Sequence, residues 1–379
     1  MRTRPKNRRD TILAAAGVRF HKRGYARTSL EDIAGDLGVT APALYRHFRN
    51  KDDLYTATLE VNLRHLETCI ADAETAQQAI AGLARIAVEY PTLGLLWNTD
   101  RRRRLVDPDR SIERRLAAVA SALGGLFEGA GSPELARLLA RGALAAASST
   151  GFYESPLEPR EQVAHLERAL NAVATFVPRQ PLILLDVATE DAVSRPWATR
   201  RSALLDVGAM LIVQRGGYHA VGIEEIALVA GVSPNTVYLH FSGKADLFAA
   251  VLRRAASWLM ASLQQASARA TSSREALQLA VISSLELSTE HPSWTSSLAD
   301  EMTNLPEDEI HDLVIAVDDY LAEWLALCAA NAPAVPLEGV RVRMRAGLAV
   351  VDDRALEAVD RRVLSSDDSA DLMFAILIS

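Results

Sequence analysis

Residues 24–55 and 217–248 align without a gap, and 13 of the 32 pairs are identical. Chance would supply about two. Conservative pairs such as Leu30/Ile223, Asp32/Glu225, Thr40/Ser233 and Leu44/Val237 extend the match. Sequence that repeats at this length must fold the same way twice, so any architecture for the chain contains two copies of one unit. The pairs that differ then become informative, because they mark where two equivalent surfaces have been given different work.

Each copy parses as a run of short helices. Ile12, Ala15, Ala16, Arg19 and Phe20 have helical spacing, and Gly24 closes that helix where a positive φ carries no steric penalty. The box Ser29-x-x-Asp32 opens a second helix carrying Ile33, Ala34 and Leu37, which Gly38 stops. Thr40 is expected to cap a third helix over 41–47, with Pro42 in its first turn, and a fourth begins near Lys51. In the second copy Gly217 and Gly231 are the stops, and Ser233 caps a helix with Pro234 at its first position. Helix, glycine turn, helix is the helix-turn-helix pattern.

The copies share one string: G-Y, then E-[DE]-I-A, then G-V-[ST]-x-x-x-[LV]-Y-x-H-F, then K-x-D-L-[YF]. That string resembles the DNA-binding domain of TetR-family transcriptional regulators, over roughly residues 7–60 and 200–253. Outside those spans the likeness is a helical pattern of suitable length. The resemblance implies an all-α fold of two units, each an N-terminal helix-turn-helix domain followed by a helical body for ligand binding and dimerisation.

A recognition helix shows short or polar side chains to base edges while an apolar stripe holds it on its domain. Leu44, Phe48 and Leu54 supply that stripe, as do Val237, Phe241 and Leu247. Tyr45, His47, Tyr238 and His240 can donate to phosphate oxygens, and Lys51 and Lys244 each open a helix whose N-terminal dipole also attracts phosphate. Thr28 is a further hydroxyl candidate; with Ser29 it is replaced in the second copy by Val221-Gly222. The base-facing positions are Thr40, Ala41, Pro42, Ala43 and Arg46 in one copy, and Ser233, Pro234, Asn235, Thr236 and Leu239 in the other. Such sets cannot read identical half-sites. Arg46 suits guanine, Asn235 suits adenine, and alanine methyls suit the methyl of thymine.

Charge divides unevenly along the chain. The net charge is -7, yet residues 1–55 carry 12 Lys/Arg against 6 Asp/Glu. A basic end on an acidic body is the asymmetry expected of a chain with one face toward polyphosphate. Residues 196–250 balance four cations, Arg200, Arg201, Arg215 and Lys244, against four carboxylates, which makes the second copy the weaker head. Cys69 and Cys328 lie far apart without metal-ligand spacing, so neither a disulfide framework nor a metal site is indicated. No P-loop, dinucleotide fingerprint, nucleophile elbow or zinc-protease motif occurs, so an enzyme and a cofactor are not expected. With no signal-peptide core and no long apolar run, the expected location is the cytoplasm, with no membrane partner.

The expected divisions are 1–55, helix-turn-helix domain one; 56–177, helical regulatory body one; 178–196, a linker marked by Pro178, Pro181 and Pro196, whose apolar LILLDV docks; 197–250, helix-turn-helix domain two; and 251–379, helical regulatory body two. Glu89-Tyr90-Pro91 and Glu290-His291-Pro292 each stop a helix ahead of a tryptophan. By the resemblance an inducer cavity lies near these helices, with Tyr90, Trp97, Asn98 and Trp294 as lining candidates and a small apolar effector, such as a lipid or sterol derivative, as ligand. The run Arg101–Arg104 points in four directions on a helix and has no assigned role. Family members place two heads on a palindrome by dimerising. A chain holding both heads is expected to be a monomer acting as a pseudo-dimer on double-stranded DNA, its last helices forming an intramolecular bundle with the apolar MFAILI segment buried.

Overall fold

The computed structural model describes residues 8–25, 27–96, 111–127, 131–184, 199–215, 217–290, 302, 305–352 and 362–379. Apart from the two-residue strands Ile183–Leu184 and Arg362–Val363, these residues form helices and their connections. The chain divides into two compact units that do not follow chain order. The first holds residues 1–182, 335–363 and 375–379; the second holds 183–334 and 364–374. Among the described residues no helix is long and apolar enough to cross a membrane, and no three ligating side chains gather as a metal site.

The first unit begins with a four-helix head: α1 (Arg8–Arg23), α2 (Leu30–Asp36), α3 (Ala41–Tyr45) and the start of α4 (Lys51–Ala71). Its core is the stripe expected from sequence. Ile12, Phe20, Ile33, Leu44, Phe48 and Leu54 are at most 2% exposed, and each such side chain contributes about 1.5–3 kcal/mol on leaving water. Ser29 and Asp32 close both bonds of the capping box, at 3.0 and 2.9 Å. Gly24 and Gly38 take φ of 73° and 63°, the left-handed turns only glycine enters without strain.

α4 runs on out of the head, so one 21-residue rod carries both head residues (Leu54, Tyr55) and body residues (Leu59, Leu63, Leu66). α5 (Ala76–Glu89) ends before Pro91, as the Glu-Tyr-Pro stop requires, and a 3-10 turn follows over Pro91–Leu96. Buried Asn62 fastens that turn to α4: its amide donates to the Thr92 carbonyl at 2.9 Å and its oxygen accepts the Thr92 hydroxyl at 3.0 Å. α6 (Ser111–Gly125) is tied to α4 by Arg115, which grips Glu67 through two bonds of 2.8 and 2.7 Å.

α7 (Pro133–Ser148) and α8 (Pro159–Ala174) complete the body. α15 (Leu337–Asp352), which lies beyond the second head in sequence, packs on both of them. α7 permits this because its inner face is small: Val350 and Val173 lie 3.4 and 3.6 Å from where a Cβ on Gly142 would stand. Arg343 of α15, 3% exposed, donates to the Leu377 carbonyl at 3.0 Å, a helix-end oxygen that would otherwise lack a partner.

The second unit opens with α9 (Arg200–Arg215), α10 (Ile223–Val229), α11 (Pro234–His240) and α12 (Lys244–Arg269), which rebuild the head. Leu204, Ile226, Val237, Phe241, Leu247 and Phe248 form its core. α13 (Ser273–Glu290) and α14 (Glu307–Asn331) pack on α12, and Trp324 of α14 is fully buried. α16 (Ser366–Ile378) contributes residues to both units. In the MFAILI segment Met373, Ile376 and Leu377 are buried and Ile378 is half exposed. In the linker, Leu182 is half-buried and Ile183 and Leu184 are exposed, and residues 185–198, with the rest of the LILLDV segment, lie outside the described set.

Candidate nucleic-acid interface

Behind each recognition helix an aromatic cluster holds a lysine in place. In the first head the Lys51 ammonium lies 4.1 Å from the centroid of the Tyr25 ring. That ring stacks on Phe20 and meets Tyr55 edge-on, and its hydroxyl donates to Asp52. In the second head Lys244 lies 4.3 Å from the Tyr218 ring, which meets Phe248 edge-on. A second cation-π contact recurs with a one-residue shift: Arg9 covers Phe48, and Arg201, the counterpart of Arg8, covers Phe241. The cations at the start of α4 and α12 are thus presented on stiff supports. Tyr25 and Tyr218, paired in the repeat, carry this signal in the sequence.

The residues expected to meet phosphate separate into two groups. Tyr45 and Tyr238 are 52% and 53% exposed, His47 and His240 are exposed, and Lys51 and Lys244 are half-buried. In the first head Tyr45 and Lys51, with Arg27 and Asn50, line an open cleft of about 420 Å³. Thr28 is different. It is 1% exposed, and its hydroxyl donates to the Gly24 carbonyl at 2.8 Å. Its counterpart Val221 is equally buried, at 2%. The Thr-to-Val difference therefore concerns the interior of the head, and the hydroxyl the second head lacks at its surface is the Ser29 cap alone, replaced by Gly222 with no side-chain bond.

The positions expected to face bases differ in capping as well as in chemistry. Ser233 caps α11: it accepts from the Thr236 amide at 3.3 Å and is held by the Thr236 hydroxyl at 3.0 Å. Thr40 has the backbone angles of a cap, but contrary to expectation its side chain makes no cap bond. α3 is correspondingly short, ending at Tyr45, with Arg46 and His47 in a turn. Thr40, Pro42, Arg46, Ser233, Pro234 and Asn235 are exposed, while Ala41, Ala43 and Thr236 are half-buried. Leu239, where the first head has Arg46, is 83% exposed.

Of the expected cavity residues, Tyr90 is half-buried and its ring stacks on His65 at 4.1 Å. Trp97, Asn98 and Trp294, like Arg101–Arg104, lie outside the described residues. Sequence reasoning missed the joint between head and body in the first unit. There His21, at the end of α1, bonds the Gly151 carbonyl, and Gly94 and Gly151 approach each other so closely that a side chain on Gly151 would collide with Pro91 and His21.

The family model described as bacterial regulatory proteins, tetR family, matches residues 12–58 and 204–251. The transcriptional activator FasR of Mycolicibacterium smegmatis is 43% identical over 86 residues, which is 23% of this chain and 39% of that protein. The transcriptional regulator TtgR of Pseudomonas putida is 52% identical over 52 residues, 14% of this chain and 25% of that protein. The chain thus spans well under half the length of either curated relative. A solved TetR-family regulator from Bordetella parapertussis is 16% identical with a TM-score of 0.44, over 48% of this chain and 96% of that one. The two matched segments are the two heads built above, so the chain carries the N-terminal domain of the tetR family of bacterial regulatory proteins twice.

Proposed function

We propose that the chain is a ligand-responsive transcriptional repressor that binds a non-palindromic DNA operator through two unlike heads. The observation that carries this reading is a repeated frame with unrepeated tips. Exposed Tyr, His and aromatic-supported Lys recur in both heads, while Arg46 in one is answered by Leu239 in the other and Pro42 by Asn235. Phosphate-positioning groups are kept and base-reading groups have diverged. Packing of α15 on α7 and α8 supports a single chain as the working unit, because a helix from the second half of the sequence completes the first body. A small apolar effector would favour a state in which the heads no longer fit the groove spacing, and it would then weaken DNA binding by the same factor as DNA weakens it. Selection of bound duplexes from random oligonucleotides tests the reading. It expects two different half-sites, and Asn235→Ala should relax one of them only.

The zero net charge of residues 196–250 favours a second reading, in which the second head supports the fold and binds no DNA. In that case substitutions at Asn235 leave the selected sequence and its salt dependence unchanged.

A further inference from the structure

Four residues of α11 and its C-cap can be placed around the helix axis. Val237 and Phe241 are buried against the head, at 0 and 2% exposure, and fix the inner face. With about 100° per residue, Asn235 and Leu239 fall on either side of the line directly opposite Val237. They are four residues apart, so they stand one above the other on the outermost ridge of the recognition helix. Single exposed leucines are ordinary on protein surfaces. This one is not placed at random: it stands where the first head presents Arg46, next to the amide best suited to adenine.

We propose that Leu239 is a base-reading residue of the second head, selecting thymine through its 5-methyl group one or two base pairs from the base met by Asn235. The inference rests on the DNA-binding reading above and deepens it. The major-groove edge of thymine offers a methyl group that cytosine lacks, and an aliphatic side chain is the complement to it. A guanidinium at the same place asks for guanine oxygen and nitrogen instead. One substitution at equivalent positions thus gives the heads opposite preferences, G·C under Arg46 and A·T under Leu239, without altering the buried stripe. The separation of the two side chains along the helix, about 6 Å, matches roughly two base-pair steps of 3.4 Å, so Asn235 and Leu239 can address one short A·T-rich run.

The test replaces each thymine in the half-site of the second head by deoxyuridine, which removes only the methyl group, and measures affinity for the full chain and for Leu239→Ala. The side chain is 83% exposed, so the substitution leaves the fold and its thermal melt unchanged. One deoxyuridine should weaken wild-type binding about fourfold, the worth of one buried methyl, and should leave Leu239→Ala indifferent. Leu239→Ala should lose the same factor on the thymine duplex. If uracil is tolerated everywhere in that half, or if the two losses multiply, the assignment is overturned while the operator reading stands. A chain that retains no duplex in which this half matters overturns both.

Discussion

The Lys51 ammonium sits 4.1 Å from the centre of the Tyr25 ring, and Lys244 repeats the relationship with Tyr218 at 4.3 Å. A flexible side chain held over an aromatic face loses less freedom when it meets a phosphate. Lys51→Gln should therefore weaken DNA binding across all sequences rather than at one base. The slope of log affinity against log salt should become shallower by about one. Filter binding over a salt series reads both quantities; an unchanged slope would place Lys51 outside the interface.

Thr28→Val should bind DNA within about twofold of wild type, because the hydroxyl serves the Gly24 carbonyl inside the head and valine already fills the equivalent place at Val221. Tyr45→Phe, which removes an exposed hydroxyl, should weaken binding more than Thr28→Val does. The order of the two effects is the measurement.

Ser29→Ala removes one arm of the capping box of α2 and should destabilise the first head by about 1 kcal/mol, whereas Ser29→Gly should cost only a few tenths. The Asp32 carboxyl titrates below its usual range, first through its bond to the Ser29 backbone and then through the Ser29 side chain. Its contribution is present above the ordinary carboxylate value and is lost as pH falls through the depressed one. The stability gap between wild type and Ser29→Ala should accordingly narrow in acid, which urea titrations at pH 7 and pH 3 would detect.

Three histidines of the first unit, His21, His65 and His165, titrate below the ordinary 6.5, each chiefly because burial disfavours the cation. A depressed pKa means that the unfolded chain binds protons first. Stability is complete above about pH 6.5 and declines below it until the depressed values are passed. Denaturant midpoints should fall between pH 7.5 and pH 5, and His21→Gln, which keeps a donor for the Gly151 carbonyl without a titrating ring, should fall less. At the same joint Gly151→Ala would bring a Cβ to 2.5 Å from the Pro91 carbonyl, and the strain should cost about 1–3 kcal/mol in a thermal melt.

The heads were legible because their rules are local. Glycine at 24, 38, 217 and 231, the Ser29-Asp32 box and the buried stripe are fixed by chain geometry within a few residues, and the structure has them where the pattern puts them. Two features escaped for a common reason. Whether Thr28 turns inward depends on which carbonyl lies beside it, and no periodicity encodes that. α15 shows the larger difficulty: residues 340–345 alternate apolar and charged as a strand does, yet they form a helix in which Val342 and Arg343 are both buried, at 1% and 3%. A helix covered on several sides loses its amphipathic signature, so its partners α7 and α8 could not be read from its own sequence.

A single chain that reads two unlike half-sites at once must bind its operator one to one. Native mass spectrometry of the full chain on its selected operator, with footprints of each strand, tests it directly. One chain per duplex protecting two dissimilar half-sites is the expected result. Two chains per duplex on a palindrome, each protecting through a single head, would contradict it.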